Sequence, residues 1–152
     1  MARMSQQLVI VFDTSVLVPL ILPASRSAGL FNRLRAGGHR VALTEPIYEE
    51  LEEKLRTSQR LRDWMKRSDE EISQFLADLR TNCYLLPGVR QAHGAVPNDP
   101  KDDMVIAAAL EAKAAYIISE DKHLLDLNQY QGIMIMNREQ FEAELDRLGV
   151  GE

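Results

Sequence analysis

Apolar and polar positions change their spacing several times along the chain, and each change predicts an element. Residues 8–12 read Leu-Val-Ile-Val-Phe, five apolar side chains in a row, three of them β-branched, running directly into Asp13. Such a run predicts a strand covered on both faces, as in a parallel sheet, that delivers a carboxylate at its C-terminal end. Val16 to Leu22 is apolar but broken by Pro19 and Pro23, which predicts a brief helix or turn over the sheet. Ser25 then opens a helix to about Ala36, with Leu30, Phe31 and Leu34 inward and Arg26, Arg33 and Arg35 outward. Gly37-Gly38 ends it as a left-handed cap and turn.

Val41 to Leu43 predicts the second strand, and Thr44-Glu45-Pro46 the capped start of the next helix. In that helix Ile47, Leu51 and Leu55 define the buried stripe, Glu50 and Glu52 fall on its two borders, and periodicity does not choose between them. Lys54, Arg56, Arg60, Arg62, Lys66 and Arg67 follow, in a segment that also holds Asp63 and the sole tryptophan, Trp64. Ser68 to Arg80 is a further amphipathic helix on Ile72, Phe75, Leu76 and Leu79, and Cys83 to Leu86 is a short strand closed by Pro87-Gly88. Gly, Pro, Asn and His between Gln91 and Asp99 mark a surface loop. A helix starts at Asp102 or a neighbour and runs to about Ala115. Tyr116 to Ser119 and Ile133 to Met136 are the last strands, separated by a short helical piece from Lys122 to Leu127. Arg138 to Leu148 is the final helix. Strands alternating with helices predict a single three-layer α/β/α sandwich with a central, mainly parallel sheet, spanning residues 1–152.

Composition narrows the function classes. At 152 residues the chain buries a core without disulfides or structural metal. A net charge of −5 is not the basic footprint of a typical nucleic-acid binder, although acidic metal ligands themselves contribute to that balance. The lone Cys83 suits a reducing compartment and reads as a small buried hydrophobe. Residues 8–22 approach a secretory segment in hydropathy, but Asp13 and Pro19 interrupt them and no other run approaches a membrane span. The expected location is the cytoplasm.

Acidic side chains recur where strands hand over to helices. Asp13 follows the first strand and Asp121 follows Tyr116-Ile117-Ile118-Ser119, and open α/β sheets bind ligands at the C-terminal ends of their strands. Each also has a plain reading, Asp13 as a turn residue and Asp121 as the N-cap of the helix at Lys122. Asp102 and Asp103 start a helix, where aspartate caps free N–H groups. Asp103 shares a face with Ile106 and Leu110, which turns it toward the sheet, where a carboxylate needs a partner. Asp102, on the edge of that face, either assists or caps. Carboxylates drawn together would repel, and a divalent cation removes the conflict. All-oxygen ligation selects Mg²⁺ or Mn²⁺. His39, His93 and His123 lack zinc spacing, and neither Ser15 nor Ser119 sits in a Gly-x-Ser-x-Gly turn.

Four segments then resemble the PIN domain family of metal-dependent ribonucleases. They are Val-Phe-Asp-Thr-Ser-Val-Leu at 11–17, Pro-Ile-Tyr-Glu-Glu-Leu at 46–51, Asp-Pro-Lys-Asp-Asp-Met-Val-Ile-Ala-Ala-Ala at 99–109 and Ile-Ile-Ser-Glu-Asp-Lys-His-Leu-Leu at 117–125. The resemblance runs from about Val9 to Leu145 and extends to bacterial PIN proteins that serve as toxins of toxin–antitoxin pairs. It implies that Asp13, Glu50, Asp103 and Asp121 are the family's acids, which selects Glu50 over Glu52. Together they would hold one or two Mg²⁺ or Mn²⁺ ions, Glu50 directly or through water, with Ser15, Ser119 and Asp102 in support. It further implies cleavage of single-stranded RNA by an activated water, leaving 5′-phosphate and 3′-hydroxyl ends, a homodimer, and a cognate antitoxin.

Two positions depart from the family pattern. Ser15 stands where Asn is common, and Ser119-Glu120-Asp121 stands where Thr-Gly-Asp is common, which keeps the hydroxyl but adds a negative charge; weaker or more selective activity is expected. Substrate grip is assigned to Lys54, Arg56, Arg60 and their neighbours to Arg67, with Arg26 and Arg33, against the reading of a solvated helical face. Trp64 reads as core in preference to a stacking platform for bases. Two rival readings are a haloacid-dehalogenase-like phosphohydrolase, which needs a second Asp where this chain has Ser15, and a PIN-like module without catalysis that binds RNA or protein.

Overall fold

In the computed structural model, which describes residues 6–92, 94–97 and 99–151, the apolar run at the start of the chain becomes the middle of the sheet. His93 lies outside the described residues. Strand β1 (Val9–Phe12) is flanked by β2 (Arg40–Thr44) and β4 (Tyr116–Ile118), both parallel to it. Ile10, Val11 and Phe12 are no more than 1% exposed, as a strand covered on both faces requires. Strand β3 (Tyr84–Leu86) adds outside β2 and β6 (Ile133–Met136) outside β4, again parallel. The order is β3-β2-β1-β4-β6-β5, a six-stranded, mostly parallel sheet flanked by helices.

Strand β5 (Gln129–Tyr130) was not foreseen. It is antiparallel to β6 through a two-residue turn in which Gln131 and Gly132 both have positive φ, 50° and 87°. Those are the dihedral signs of the tight hairpin turn whose twist matches paired strands. Two residues are too few to carry an alternating pattern.

The helices follow the predicted stripes with local differences. Helix α1 (Thr14–Leu17) and a 3₁₀ turn (Val18–Ile21) occupy the proline-broken segment, and α2 (Arg26–Ala36) is capped by the Ser25 hydroxyl. Gly38, at φ 82°, makes the left-handed turn. The long basic segment divides into α3 (Glu45–Thr57) and α4 (Gln59–Met65), because Ser58 turns extended and caps the amide of Leu61. Helix α5 (Asp69–Asn82) starts with a reciprocal Ser68 and Glu71 capping box. After it, Gly88 is required by space as well as by its φ of 83°, since a Cβ there would meet Pro46 at 2.3 Å. A 3₁₀ turn (Pro100–Asp102) leads into α6 (Asp103–Ala112), and α7 (Lys122–Leu125) and α8 (Arg138–Leu148) complete the chain.

Helix α2 joins β1 to β2 and α6 joins β3 to β4, crossing the sheet in opposite senses. Right-handed crossovers therefore place them on opposite faces. Phe12 meets Phe31 of α2 edge to face, 6.3 Å between centroids, and Tyr116 packs on Phe141 of α8. Arg33 ties α2 to the end of the chain, donating to the Val150 carbonyl and to Asp146 at 2.7 Å. Cys83 packs against the core as expected, and burial pushes its thiol up to about 12, so it stays protonated. Among the described residues no single helix is long and apolar enough to cross a membrane.

His39 joins β1 to the turn before β2. Its Nδ1 accepts the amide of Leu8 at 2.8 Å, the side chain is buried, and burial lowers its pKa. A depressed histidine supports the fold fully above its ordinary value of 6.5 and loses that support as pH falls through the lowered value. His39→Leu leaves the amide of Leu8 unpaired and should cost about 1–3 kcal/mol in urea unfolding at pH 7.5. The gap from wild type should narrow in acid.

Candidate metal centre and its cleft

The sheet order sets the position of the site. The chain leaves β1 toward β2 and comes back on the other side as β4, so the crevice between the C-terminal ends of β1 and β4 is the topological switch point of the sheet. Asp13 leaves β1 at that crevice, its own amide donating to the Ile118 carbonyl of β4 at 3.1 Å.

Asp13 is 3% exposed and held on both oxygens. Its Oδ1 accepts the amide of Ser15 at 2.9 Å and the Ser15 hydroxyl, and its Oδ2 accepts the Ser119 hydroxyl. The same hydroxyls receive the backbone of the second strand end: Ser119 Oγ accepts the amide of Asp121 at 2.8 Å, and Ser15 Oγ accepts that of Glu120 at 2.9 Å. The two serines thus bridge the loops after β1 and β4. Burial raises the Asp13 carboxyl above its usual value, the serine bonds draw it back, and the charge of Asp121 raises it again.

Carboxylate oxygens of Asp13, Asp102 and Asp121 lie within 4.8 Å of one another. Asp121 caps α7 through Oδ1, which accepts the amide of His123 at 2.8 Å. Asp102 makes no capping bond, and its Oδ2 is a buried oxygen without a hydrogen-bond partner. Its carboxyl is pushed up to about 8, first by burial, then by a hydrogen bond and charge from Asp121 and by the charges of Asp99 and Asp13. An unpartnered buried oxygen beside two further carboxylates is what a divalent cation would satisfy, and the all-oxygen set fits a hard ion. The acidic cluster therefore resembles a metal site. Asp99, Asp121 and His123 form an overlapping group of the same span, with Asp99 3.5 Å from His123 Nδ1. The sequence pattern assigns neither Asp99 nor His123 a ligand role.

Asp103 departs from expectation. Its oxygens turn back to the loop and accept the amides of Gly94 and Val96, each at 2.8 Å. The reason is local: Asp103 is the first residue of α6, where Cβ tilts toward the helix N-terminus, and the 3₁₀ turn before it brings Asp102 to the crevice instead. Glu50 does stand at the site, on α3, while Glu52 pairs with Arg56 at 3.0 Å. Glu50 is outside the converging oxygens, held by Lys54 at 3.0 Å and by the Thr14 hydroxyl at 3.1 Å.

A cleft of about 630 Å³ opens over the three aspartates, with Glu50 and Lys54 in its wall; α4 contributes Arg60, Leu61 and Trp64. Of the basic candidates, Lys54 and Arg60 line it. Arg26, Arg33 and Arg56 do not: they pair with Glu142 at 3.5 Å, with Asp146, and with Glu52 and Ser73. Lys101, which the sequence reading left without a substrate role, lines the cleft as well. Trp64 is 48% exposed and not core. Glu120 turns away from the crevice to Arg138, whose amide and Nε both donate to it, at 2.9 and 3.1 Å.

The sequence pattern of the PIN domain family matches residues 9–123 of the chain. Among solved structures, one chain of Rickettsia felis VapBC2 bound to a DNA fragment from its promoter matches with a TM-score of 0.61 and 12% identity over 86% of this chain and 98% of that one. PAE2754 from Pyrobaculum aerophilum matches at 0.56 and 16% identity, over 93% and 99%. No curated protein matches the chain. At these identities the solved structures speak to the fold, and the family match spans most of the chain and all three crevice aspartates. The chain belongs to the PIN domain family.

Proposed function

We propose that the chain is a metal-dependent ribonuclease that hydrolyses phosphodiester bonds of single-stranded RNA, with Asp13, Asp102 and Asp121 holding Mg²⁺ or Mn²⁺. The observation that carries this reading is the buried, unpartnered Oδ2 of Asp102 beside the carboxylates of Asp13 and Asp121. A phosphodiester is itself negative, and three aspartates alone would repel it. Asp13, Asp102 and Asp121 would hold a cation that, when bound, would offset this repulsion and supply Lewis-acid chemistry for activating water and stabilising the leaving oxygen.

The chain's own residues prepare that chemistry. Ser15 and Ser119 fix both oxygens of Asp13, and Asp121 is oriented by the amide of His123, so little ordering remains when a ligand arrives. Glu50, neutralised in part by Lys54, borders the cleft and would take an outer role. The withdrawal of Glu120 onto Arg138 keeps the extra negative charge of this variant away from the phosphate. The toxin role and a cognate antitoxin belong to the same reading, supported by likeness of fold to the Rickettsia structure; a homodimer is proposed on the family resemblance alone.

Purified protein incubated with a labelled single-stranded oligoribonucleotide should cut it with Mn²⁺ and not with EDTA. An equal rate in both would contradict the reading. Ser119→Ala removes the donor to Asp13 and the acceptor of the Asp121 amide at once, and should weaken Mn²⁺ affinity roughly 10- to 100-fold by calorimetry.

A further inference from the structure

Trp64 is placed where a core side chain would not be. Its neighbour Met65 is 1% exposed and anchors α4, while Trp64 is 48% exposed. Among the described residues the other large exposed apolar side chains are Tyr84, Leu85, Val89 and Met134, and none of these lines the cleft over the aspartates. Tyr84 is covered by the Arg40 guanidinium at 4.9 Å, whereas among the described residues no ring or guanidinium lies over Trp64. Arg60 and Leu61 precede Trp64 by four and three positions, so all three share one side of α4, which faces the cleft. Arg60, and Lys101 from the 3₁₀ turn before α6, also line the cleft, and neither side chain makes a hydrogen bond or ion pair among the described residues. The remaining cation of the wall, Lys54, is engaged by Glu50 and Thr14.

An exposed indole that shares its cleft with two uncommitted cations and an acidic centre matches the chemistry of one polymer. A single strand offers flat apolar bases and a phosphate at every step, and aromatic stacking with cationic contacts is how unpaired strands are gripped. We propose that Trp64 stacks an unpaired base of the RNA strand while Arg60 and Lys101 take phosphates flanking it. The inference rests on the ribonuclease reading for the identity of the strand. Duplex RNA keeps its bases stacked inside and cannot use the indole, so this contact selects for single strands.

Because Trp64 is the only tryptophan, its emission reports the contact without any measure of activity. With Mg²⁺ and a twelve-nucleotide oligoribonucleotide, read before a turnover, the emission should be quenched; the same RNA as a duplex should leave it unchanged. Trp64→Ala should raise KM roughly tenfold with kcat little changed, and Trp64→Phe should recover most of the loss. Arg60→Gln and Lys101→Gln should each reduce the slope of log affinity against log salt by about 0.7. RNA cleaved normally with unmoved emission and an unchanged KM in Trp64→Ala would overturn the stacking role and leave the nuclease reading standing. Quenching by an RNA that is never cut would support the stack and refute the nuclease; neither binding nor cleavage would refute both.

Discussion

Asp102→Asn should abolish Mn²⁺-dependent cleavage, with a fall in initial rate on the order of a thousandfold. A cation in an active site contributes several kcal/mol of transition-state charge stabilisation, and about 4 kcal/mol corresponds to that factor. The side chain makes no capping bond to α6 that its loss would break, and asparagine can still donate to Asp121 as the protonated carboxyl does, so the fold should survive the change. The instructive comparison is its neighbour. Asp103 accepts two loop amides, so Asp103→Asn places an amide NH₂ against a backbone donor and should cost about 1–3 kcal/mol of stability. Its rate should fall by no more than about tenfold at a temperature where the variant is folded. Initial rates on one labelled RNA, with unfolding followed in parallel, separate the two aspartates. A larger loss of rate at Asp103 would return the ligand role to it.

The second large effect is on stability. Without metal, Asp102 holds its proton to about 8 in the folded chain, against an ordinary carboxyl value of 3.8. The folded state therefore binds a proton that the unfolded chain has released. That contribution is complete below about pH 4 and disappears as pH rises through 8. The raised carboxyl of Asp13 acts in the same direction. Metal-free protein should accordingly lose stability from this cluster as pH rises over that interval. A bound cation replaces the protons, so the rise in Tm on adding Mg²⁺ should be small at pH 5 and largest above pH 8. At a hundredfold excess over the dissociation constant the stabilisation is about 2.7 kcal/mol, or roughly 5–10 °C for a chain of this size. Thermal unfolding across pH with and without Mg²⁺ checks it; a shift independent of pH, or one retained in Asp102→Asn, would contradict it.

The parts of the fold that were legible in sequence are those whose side chains repeat a pattern over several residues. The run ending at Asp13, the Ile47-Leu51-Leu55 stripe and the buried Tyr116-Ile117-Ile118 strand each say which face is covered, and two strand ends that deliver aspartates point to one edge. What escaped depends on single residues. That Asp102 and not Asp103 meets the crevice follows from the 3₁₀ turn, which shifts the side chain presented there by one position. Helical periodicity carried back to the first turn of α6 does not contain that shift. Ser58, an ordinary polar residue within a basic stretch, divides α3 from α4 and so turns Trp64 into the cleft, while composition favours burial of a lone tryptophan. The charged residues divide by long-range pairing, Arg33 to the chain end and Glu120 to Arg138, which no local pattern records.

On the proposed reading one cation lies among Asp13, Asp102 and Asp121. Crystals grown with Mn²⁺ and measured near the manganese absorption edge test it most directly. The account predicts an anomalous peak within bonding distance of an oxygen from each of the three, including Asp102 Oδ2. A crevice with no peak, or a peak ligated by Asp103 in place of Asp102, would contradict it.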